Sequence, residues 1–272
     1  MIELPETYVL AGQINSTLTG KTIKAAMANA HPHSFAWYTG DPAAYGAMLA
    51  GRRIDSASPG TGSNGGNTEI LCGDMLLTIS TPIRYHAPDA KLPKTHQLLL
   101  EFEDGSYMSC TVQMWGSMLC SPVVKPSDDA DKPSPLEDAF NEAYWDDLLQ
   151  TAKHNLSMKA LLATEQRIPG LGNGVLHDIL FNARLHPKRK LETLSDEDKS
   201  KLFMAVKSTL KAMRDGGGRD TEKDLFNRPG GYQTILSANS WKRSGRCPVC
   251  KGDLVKAAYL GGAIYFCPAC QV

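Results

Sequence analysis

The chain ends in two short cysteine pairs, Cys247-Pro-Val-Cys250 and Cys267-Pro-Ala-Cys270, separated by sixteen residues. No other feature restricts its fold so tightly. Each knuckle can offer two thiolates to one tetrahedral ion from a single turn, and the intervening KGDLVKAAYLGGAIYF is long enough for a β-hairpin. The pattern predicts one structural Zn2+ ion held by Cys247, Cys250, Cys267 and Cys270. A redox dithiol would need only one pair, and four filled ligand positions leave none open for catalysis. The metal would supply folding free energy to a segment too short for a core of its own. Cys72, Cys110 and Cys120 stand singly in apolar or turn-like surroundings and read as core thiols.

Upstream of the knuckles the 272 residues divide by pattern. Residues 5–19 read as a helix, with Pro5 in its first turn and Tyr8, Val9, Ile14 and Leu18 keeping a rough helical period. LLTIS at 76–80, LLLEF at 98–102 and SYMSCTVQMW at 106–115 read as strands, with a hairpin turn at Glu103-Asp104-Gly105-Ser106. SASPGTGSNGGN at 56–67 reads as a mobile loop. The proline-rich, aperiodic stretch 121–135 reads as a linker. Ser134-Pro135-Leu136-Glu137 then predicts a capped helix start. Further helices are expected near 156–166, 174–184 and 196–214, the last capped by Ser195 and stopped by Gly216-Gly217-Gly218. The expected division is a β-rich unit at 1–120, a linker at 121–135, a helical unit at 136–236 and a finger at 237–272.

No run of 18 apolar residues occurs, so no membrane partner is expected, and MIELPETYVL lacks the basic start and cleavage site of a signal peptide. Seven cysteines then suit a reducing cytoplasm. The formal net charge is zero, which excludes a polyanion binder that works by overall charge. The sum hides an asymmetry: residues 1–133 hold nine Lys and Arg against thirteen Asp and Glu, and residues 134–272 hold twenty against sixteen. The last 36 residues carry Lys242, Arg243, Arg246, Lys251 and Lys256 against Asp253 alone. Any polyanion should therefore meet mainly the C-terminal half.

Three separated segments resemble the family of formamidopyrimidine-DNA glycosylase and endonuclease VIII. They are ELPE at 3–6, RIPGLGNGVLHDILFNARLHP at 167–187, which looks like the family's helix–two-turn–helix element, and PGGY at 229–232 followed by the cysteine finger. The resemblance spans nearly the whole chain and is weakest between 20 and 120. It implies an α+β multidomain fold: an N-terminal β-sandwich flanked by helices, a helix–two-turn–helix domain, and a C-terminal four-cysteine zinc finger hairpin. It implies a monomer that binds damaged double-stranded DNA, in the cytoplasm or at the nucleoid of a bacterium, and excises a flipped-out base. Gly172 and Asn173 lie in a turn that opens a helix, where free N–H groups suit a phosphate. Lys159 and Asn173 fall where the family grips the DNA backbone, Tyr232 falls in its PGY segment, and Trp115 falls where it fills the gap left by the flipped base.

The family's chemistry is less complete here. Its nucleophile is a proline after the initiator methionine, whose amine forms a Schiff base with the sugar; this chain has Ile2. The supporting lysine of the sandwich falls near Asn67, and the phosphate-holding arginine of the finger falls at Gly262. Arg52 and Arg53 are the nearby cations that could compensate. Glu3 and Glu6 remain as the catalytic carboxylates, Glu3 as a general base for water and Glu6 as a positioner of the N-terminus. The expected activity is a hydrolytic DNA glycosylase with lyase action weak or lost. The alternative is a catalytically inactive lesion-recognition module of the same fold.

Overall fold

In a computed structural model the described residues are 2–61, 65–123 and 132–272. Helix α1 (Leu4–Thr17) comes first, and the next nine strands build two sheets. Strands β1 (Ile23–Ala28), β6 (Ile83–His86), β7 (Leu98–Phe102) and β8 (Tyr107–Cys110) form an antiparallel sheet in the order β1-β7-β8-β6. Strands β2 (Ala36–Trp37), β3 (Ile54–Pro59), β4 (Thr68–Cys72), β5 (Met75–Ile79) and β9 (Gly116–Pro122) form a second in the order β2-β9-β5-β4-β3, and the short helix α2 (Tyr45–Leu49) packs on β1 of the first. The inner faces meet in one apolar core that includes Ile23, Leu98, Leu100 and Phe102 from one sheet and Ile70, Leu77, Ile79 and Met118 from the other. Alternate burial along β4 and β7 is the period-two pattern expected of strands with one covered face. Cys72, Cys110 and Cys120 lie in this core, and burial pushes their thiols up to about 12, about 12 and about 11.

The helical part comes next, with α3 (Glu142–Gln150), α4 (Asn173–Asn182), α5 (Asp196–Asp215) and α6 (Ala238–Arg243), and the hairpin β10 (Val255–Tyr259) and β11 (Gly262–Phe266) completes the chain. Sandwich, helical part and cysteine-bearing hairpin are the expected architecture. The 103–106 turn also forms: Gly105 takes a φ of +79°, and Asp104 accepts from the Ser106 N–H at 3.0 Å. Ser195 and Asp198 cap α5 reciprocally.

Three local expectations need correction. The Ser134–Glu137 capping contacts form, but regular helix starts only at Glu142, because Asn141 accepts from the Tyr144 N–H and takes over the cap. Between the two caps, Phe140 is fully buried against Trp145 and Phe203, and that packing sets the path of the intervening turn. Residues 56–59 of the expected loop belong to β3 and pair with β4, while 62–64 lie outside the described residues. Residues 121–122 of the expected linker belong to β9, and 124–131 also lie outside the described residues. Among the described residues no helix is long and apolar enough to cross a membrane.

Helix α1 joins the two large cores. Leu4 packs into the helical core, whereas Ile2, Leu10, Ala11, Ile14 and Leu18 pack into the sandwich core. The segment after α5 returns to the sandwich: Leu225 is buried there, its N–H donates to Gln13 at 2.9 Å and its carbonyl accepts from Tyr85 at 2.9 Å. Residues far apart in sequence thus meet at the start of α1.

Candidate DNA-facing site at the domain junction

Glu3 sits at that junction and is buried, 5% exposed. Its carboxylate caps the N-terminus of α4. Oε1 accepts from the Gly174 N–H at 2.8 Å, and Oε2 accepts from Gly172 at 3.2 Å and Val175 at 2.9 Å. Arg219 Nη1 lies 3.6 Å from the same carboxylate. A helix N-terminus presents unpaired N–H groups and a partial positive charge, so it takes a carboxylate as readily as a phosphate. The turn expected to leave these donors free for a phosphate therefore directs them at Glu3.

Glu6 has a single dominant partner. Arg219 donates from Nε to Oε1 at 2.9 Å and from Nη2 to Oε2 at 2.7 Å, and its backbone N–H adds a third bond at 3.1 Å. Glu6 Oε2 also accepts from the Glu3 N–H at 3.1 Å, fixing the entry to α1. Burial works against the Glu6 charge, but the Arg219 guanidinium outweighs it and holds this carboxyl below its ordinary value. Burial likewise opposes the charge on Arg219, and the two carboxylates overcome it, raising the guanidinium further above its ordinary value. Arg219 is the residue that reasoning from sequence missed. It sits after a glycine run with no helical or strand period to mark it, and its closest partner, Glu6, lies 213 residues upstream.

Glycine backbone brings the two halves together around Glu3. A Cβ on Gly66 would lie 2.6 Å from Gly170 Cα, one on Gly170 would lie 2.5 Å from the Gly66 nitrogen, and one on Gly65 would overlap Pro169. The Leu4 N–H donates to the Gly170 carbonyl at 2.9 Å. A Cβ on Gly174 would overlap the Arg219 guanidinium. Ile2, at the position of the family's proline, is buried in the sandwich core at 5% exposure.

The remaining expected residues fall into separate groups. Lys159 is buried and donates to the Tyr259 carbonyl at 2.7 Å; burial lowers its ammonium below the ordinary value. Asn173 Nδ2 donates to the Ala263 carbonyl at 2.7 Å, and its buried Oδ1 has no hydrogen-bond partner. Both side chains border Gly262, whose Cβ would lie 3.4 Å from Asn173 Nδ2 and 3.5 Å from Lys159 Nζ. Tyr232 packs on the helical core and donates its hydroxyl to Asp178 at 3.0 Å. Arg52 is paired with Asp74, and Arg53 lies 3.5 Å from Asp55, so both candidate compensating cations are engaged at the sheet edge. Trp115 is far more open, at 47% exposure.

Cys247, Cys250, Cys267 and Cys270 bring their sulfurs within 4.8 Å of one another. Across the knuckles, Cys247 lies 3.8 Å from Cys270 and Cys250 lies 3.5 Å from Cys267. Four thiolates about 2.3 Å from a tetrahedral ion sit about 3.8 Å apart, so the cluster fits a metal site. Hydrogen bonds from the Cys250 and Val249 backbone outweigh burial and lower the Cys247 thiol pKa, whereas burial and the neighbouring thiols raise those of Cys267 and Cys270.

Comparison with known proteins accords with this architecture. Residues 132–223 match the model of the formamidopyrimidine-DNA glycosylase H2TH domain. Formamidopyrimidine-DNA glycosylases of Geobacter sulfurreducens and Bacillus subtilis are each 27% identical, over 100% of this chain and 100% and 99% of theirs. The protein of that name from Carboxydothermus hydrogenoformans is 33% identical over 51% of this chain, a match spanning about half of that relative (52%). Among solved structures, the Lactococcus lactis Fpg in complex with DNA containing an abasic site superposes with a TM-score of 0.81 at 20% identity, covering 99% of both chains. The MutM (Fpg) protein of Thermus thermophilus superposes at 0.77 and 22% identity, covering 99% of this chain and 98% of its own. With a helical domain that matches that family's model, full-length relatives at 27% identity and the same three-part fold, this chain is similar to formamidopyrimidine-DNA glycosylases along its whole length.

Proposed function

We propose that this chain is a DNA-binding member of the formamidopyrimidine-DNA glycosylase family that engages damaged or locally opened duplex without Schiff-base strand cleavage. The observation that carries the reading is the engagement of Glu3. A general base needs a carboxylate lone pair directed at the attacking water. Glu3 instead accepts three backbone N–H groups and faces Arg219 at 3.6 Å. The family's amine nucleophile has no counterpart at Ile2, whose side chain serves the sandwich core. Two carboxylates that could be read as catalytic thereby act as positioning groups that join α1 to α4 and to the Arg219 loop.

Binding would fall mainly to the helical part and the finger, where the positive half of the chain lies. Lys159 and Asn173 support the hairpin from the helical side, and Trp115 offers an apolar ring for insertion at an opened step. The four cysteines would hold one Zn2+, the ion that four thiolates at tetrahedral spacing favour, and that ion would supply rigidity to the hairpin. The lesion class is a distortion of the duplex: an abasic site or a weakly stacked damaged base.

The test is incubation of purified protein with intact duplex, an abasic-site duplex, and duplexes bearing an oxidised purine or pyrimidine, with and without borohydride. The expected result is preferential binding to abasic duplex, with intact strands and no trapped adduct. A covalent adduct would overturn the reading in favour of a surviving lyase. Base release without trapping would overturn it in favour of the hydrolytic glycosylase.

A further inference from the structure

Of the eleven large apolar side chains exposed among the described residues, four gather at one end of the sandwich. They are Phe35, Trp37, Met114 and Trp115, between 47% and 69% exposed. Strand β2 aligns parallel to the start of β9, Ala36 opposite Gly116 and Trp37 opposite Ser117, and the Gly116 N–H donates to the Phe35 carbonyl at 2.9 Å. A Cβ on Gly116 would overlap the Thr81 methyl group, so the strand beneath the patch is packed without slack. The Trp37 and Trp115 rings meet edge to face, with centroids 6.2 Å apart and planes inclined at 61°. Residues 25–40 and 106–121 contain no Asp, Glu, Lys or Arg. The two stretches therefore bring no carboxylate, ammonium or guanidinium to the patch, and the titratable ring beside it is His33, 6.3 Å from Phe35.

An exposed, rigidly mounted aromatic cluster of this kind marks a binding surface. Its chemistry selects the occupant. With no charged side chain in either stretch, the patch is unsuited to phosphate, and its two large ring faces suit the flat, uncharged faces of nucleobases. Rings inclined at 61° cannot both lie within one undisturbed stack, in which neighbouring bases are parallel. They can each cover one base where a step has been splayed.

We infer that Trp37 is a second base-stacking residue beside Trp115, and that the pair holds the two bases bordering an opened step. The inference rests on the DNA-binding reading above and adds to it a source of selectivity. Intact duplex must first be unstacked to meet both rings, whereas duplex with an abasic gap has already lost that stacking.

The experiment compares affinities for intact duplex and for duplex with a tetrahydrofuran abasic analogue, using the full chain with metal bound. Trp37→Ala should lose about 5- to 160-fold in affinity for the abasic duplex, since base–aromatic stacking is worth about 1–3 kcal/mol per base, and little for intact duplex. Trp37→Phe should retain most of the selectivity, because a smaller ring still stacks. In Trp115→Phe, Trp37 is the most exposed remaining indole, Trp145 being buried, so acrylamide quenching should fall when abasic duplex binds. Wild-type selectivity surviving in Trp37→Ala, or quenching unchanged in the complex, overturns the inference while leaving the DNA-binding reading intact. So does wild-type self-association that Trp37→Ala abolishes, since it assigns the patch to a second copy. A wild-type protein that binds no duplex defeats both readings together.

Discussion

Arg219→Met is the most informative perturbation of the junction, because it removes one charge and nearly preserves shape. The guanidinium is 2% exposed, makes two side-chain bonds to Glu6 at 2.9 and 2.7 Å, and lies 3.6 Å from Glu3. Removing one member of a buried ion pair costs about 3–5 kcal/mol, mostly through the charge left behind without a partner. Glu3 keeps its three backbone donors, so the penalty falls chiefly on Glu6. For a chain of this size the loss corresponds to a fall in Tm of roughly 6–20 °C.

The sign of the pH dependence is set by Glu6. In the wild type its pKa is held below the ordinary 4.5, so its contribution is complete above that value and is lost as pH falls through the lower folded one. In Arg219→Met, burial is opposed only by the two backbone N–H groups that still reach Glu6, so the pKa rises and the folded variant takes up a proton on mild acidification and regains stability. The difference between the two proteins should be widest at neutral pH and close as pH falls through 4.5. Urea unfolding followed by tryptophan fluorescence at pH 7, 5 and 4 reads it directly. Adding Glu6→Gln to Arg219→Met should recover a large part of the loss at pH 7, since it removes the stranded charge. A loss below about 1 kcal/mol, or a difference that stays flat across this range, would refute the account of a buried, charge-compensated junction.

Other expectations can be checked alongside. Cys267→Ser should release the bound metal, measured by elemental analysis, and expose the β10–β11 hairpin to limited proteolysis before the sandwich is cut. Ile2→Pro should produce no borohydride-trapped adduct with abasic DNA and should lower stability by about 1–3 kcal/mol through lost apolar burial in the sandwich core; a trapped adduct would show that position 2 alone had silenced the chemistry. His177 and Asp178 are adjacent, buried and opposed in effect. Burial lowers His177 from 6.5 to about 4, so its contribution is lost as pH falls through that window, whereas burial raises Asp178 from 3.8 to about 6, so its contribution is lost as pH rises. Asp178→Asn should therefore steepen the rise of stability between pH 4 and 6, and His177→Gln should flatten it, both by urea titration.

What was legible in sequence is what local spacing dictates. The knuckles could be placed because two residues between thiolates already define the turn that presents them. Ser195 announced α5 because its reciprocal partner, Asp198, lies three residues away. Ser134 announced a helix on the same kind of signal and misled, because a cap specifies only a first turn and Phe140 burial governs the residues after it. The partners of Glu3 lie 169 to 172 residues downstream, and no pattern in ELPE states which loop returns to it. Family resemblance identified these carboxylates as important, and only their contacts separate a free carboxylate from one that already holds a helix terminus.

That distinction bears on how a retained motif is weighed. ELPE in a chain without the proline nucleophile invites the inference that catalysis survives in altered form. The contacts account for both glutamates without it: Glu3 neutralises the dipole of α4, and Glu6 takes the two close side-chain bonds of the buried Arg219 guanidinium. Replacing either would strand polar groups at the seam where sandwich and helices meet, so folding alone is sufficient reason for their presence. The same logic extends to the finger, since Lys159 and Asn173 donate to the Tyr259 and Ala263 carbonyls of the hairpin. Residues that could be read as gripping DNA also fix the position of the metal-bound hairpin on the helical part. Losing the metal should thus free a buried lysine and an asparagine at once, coupling DNA affinity to metal content even though the ion lies outside any reaction.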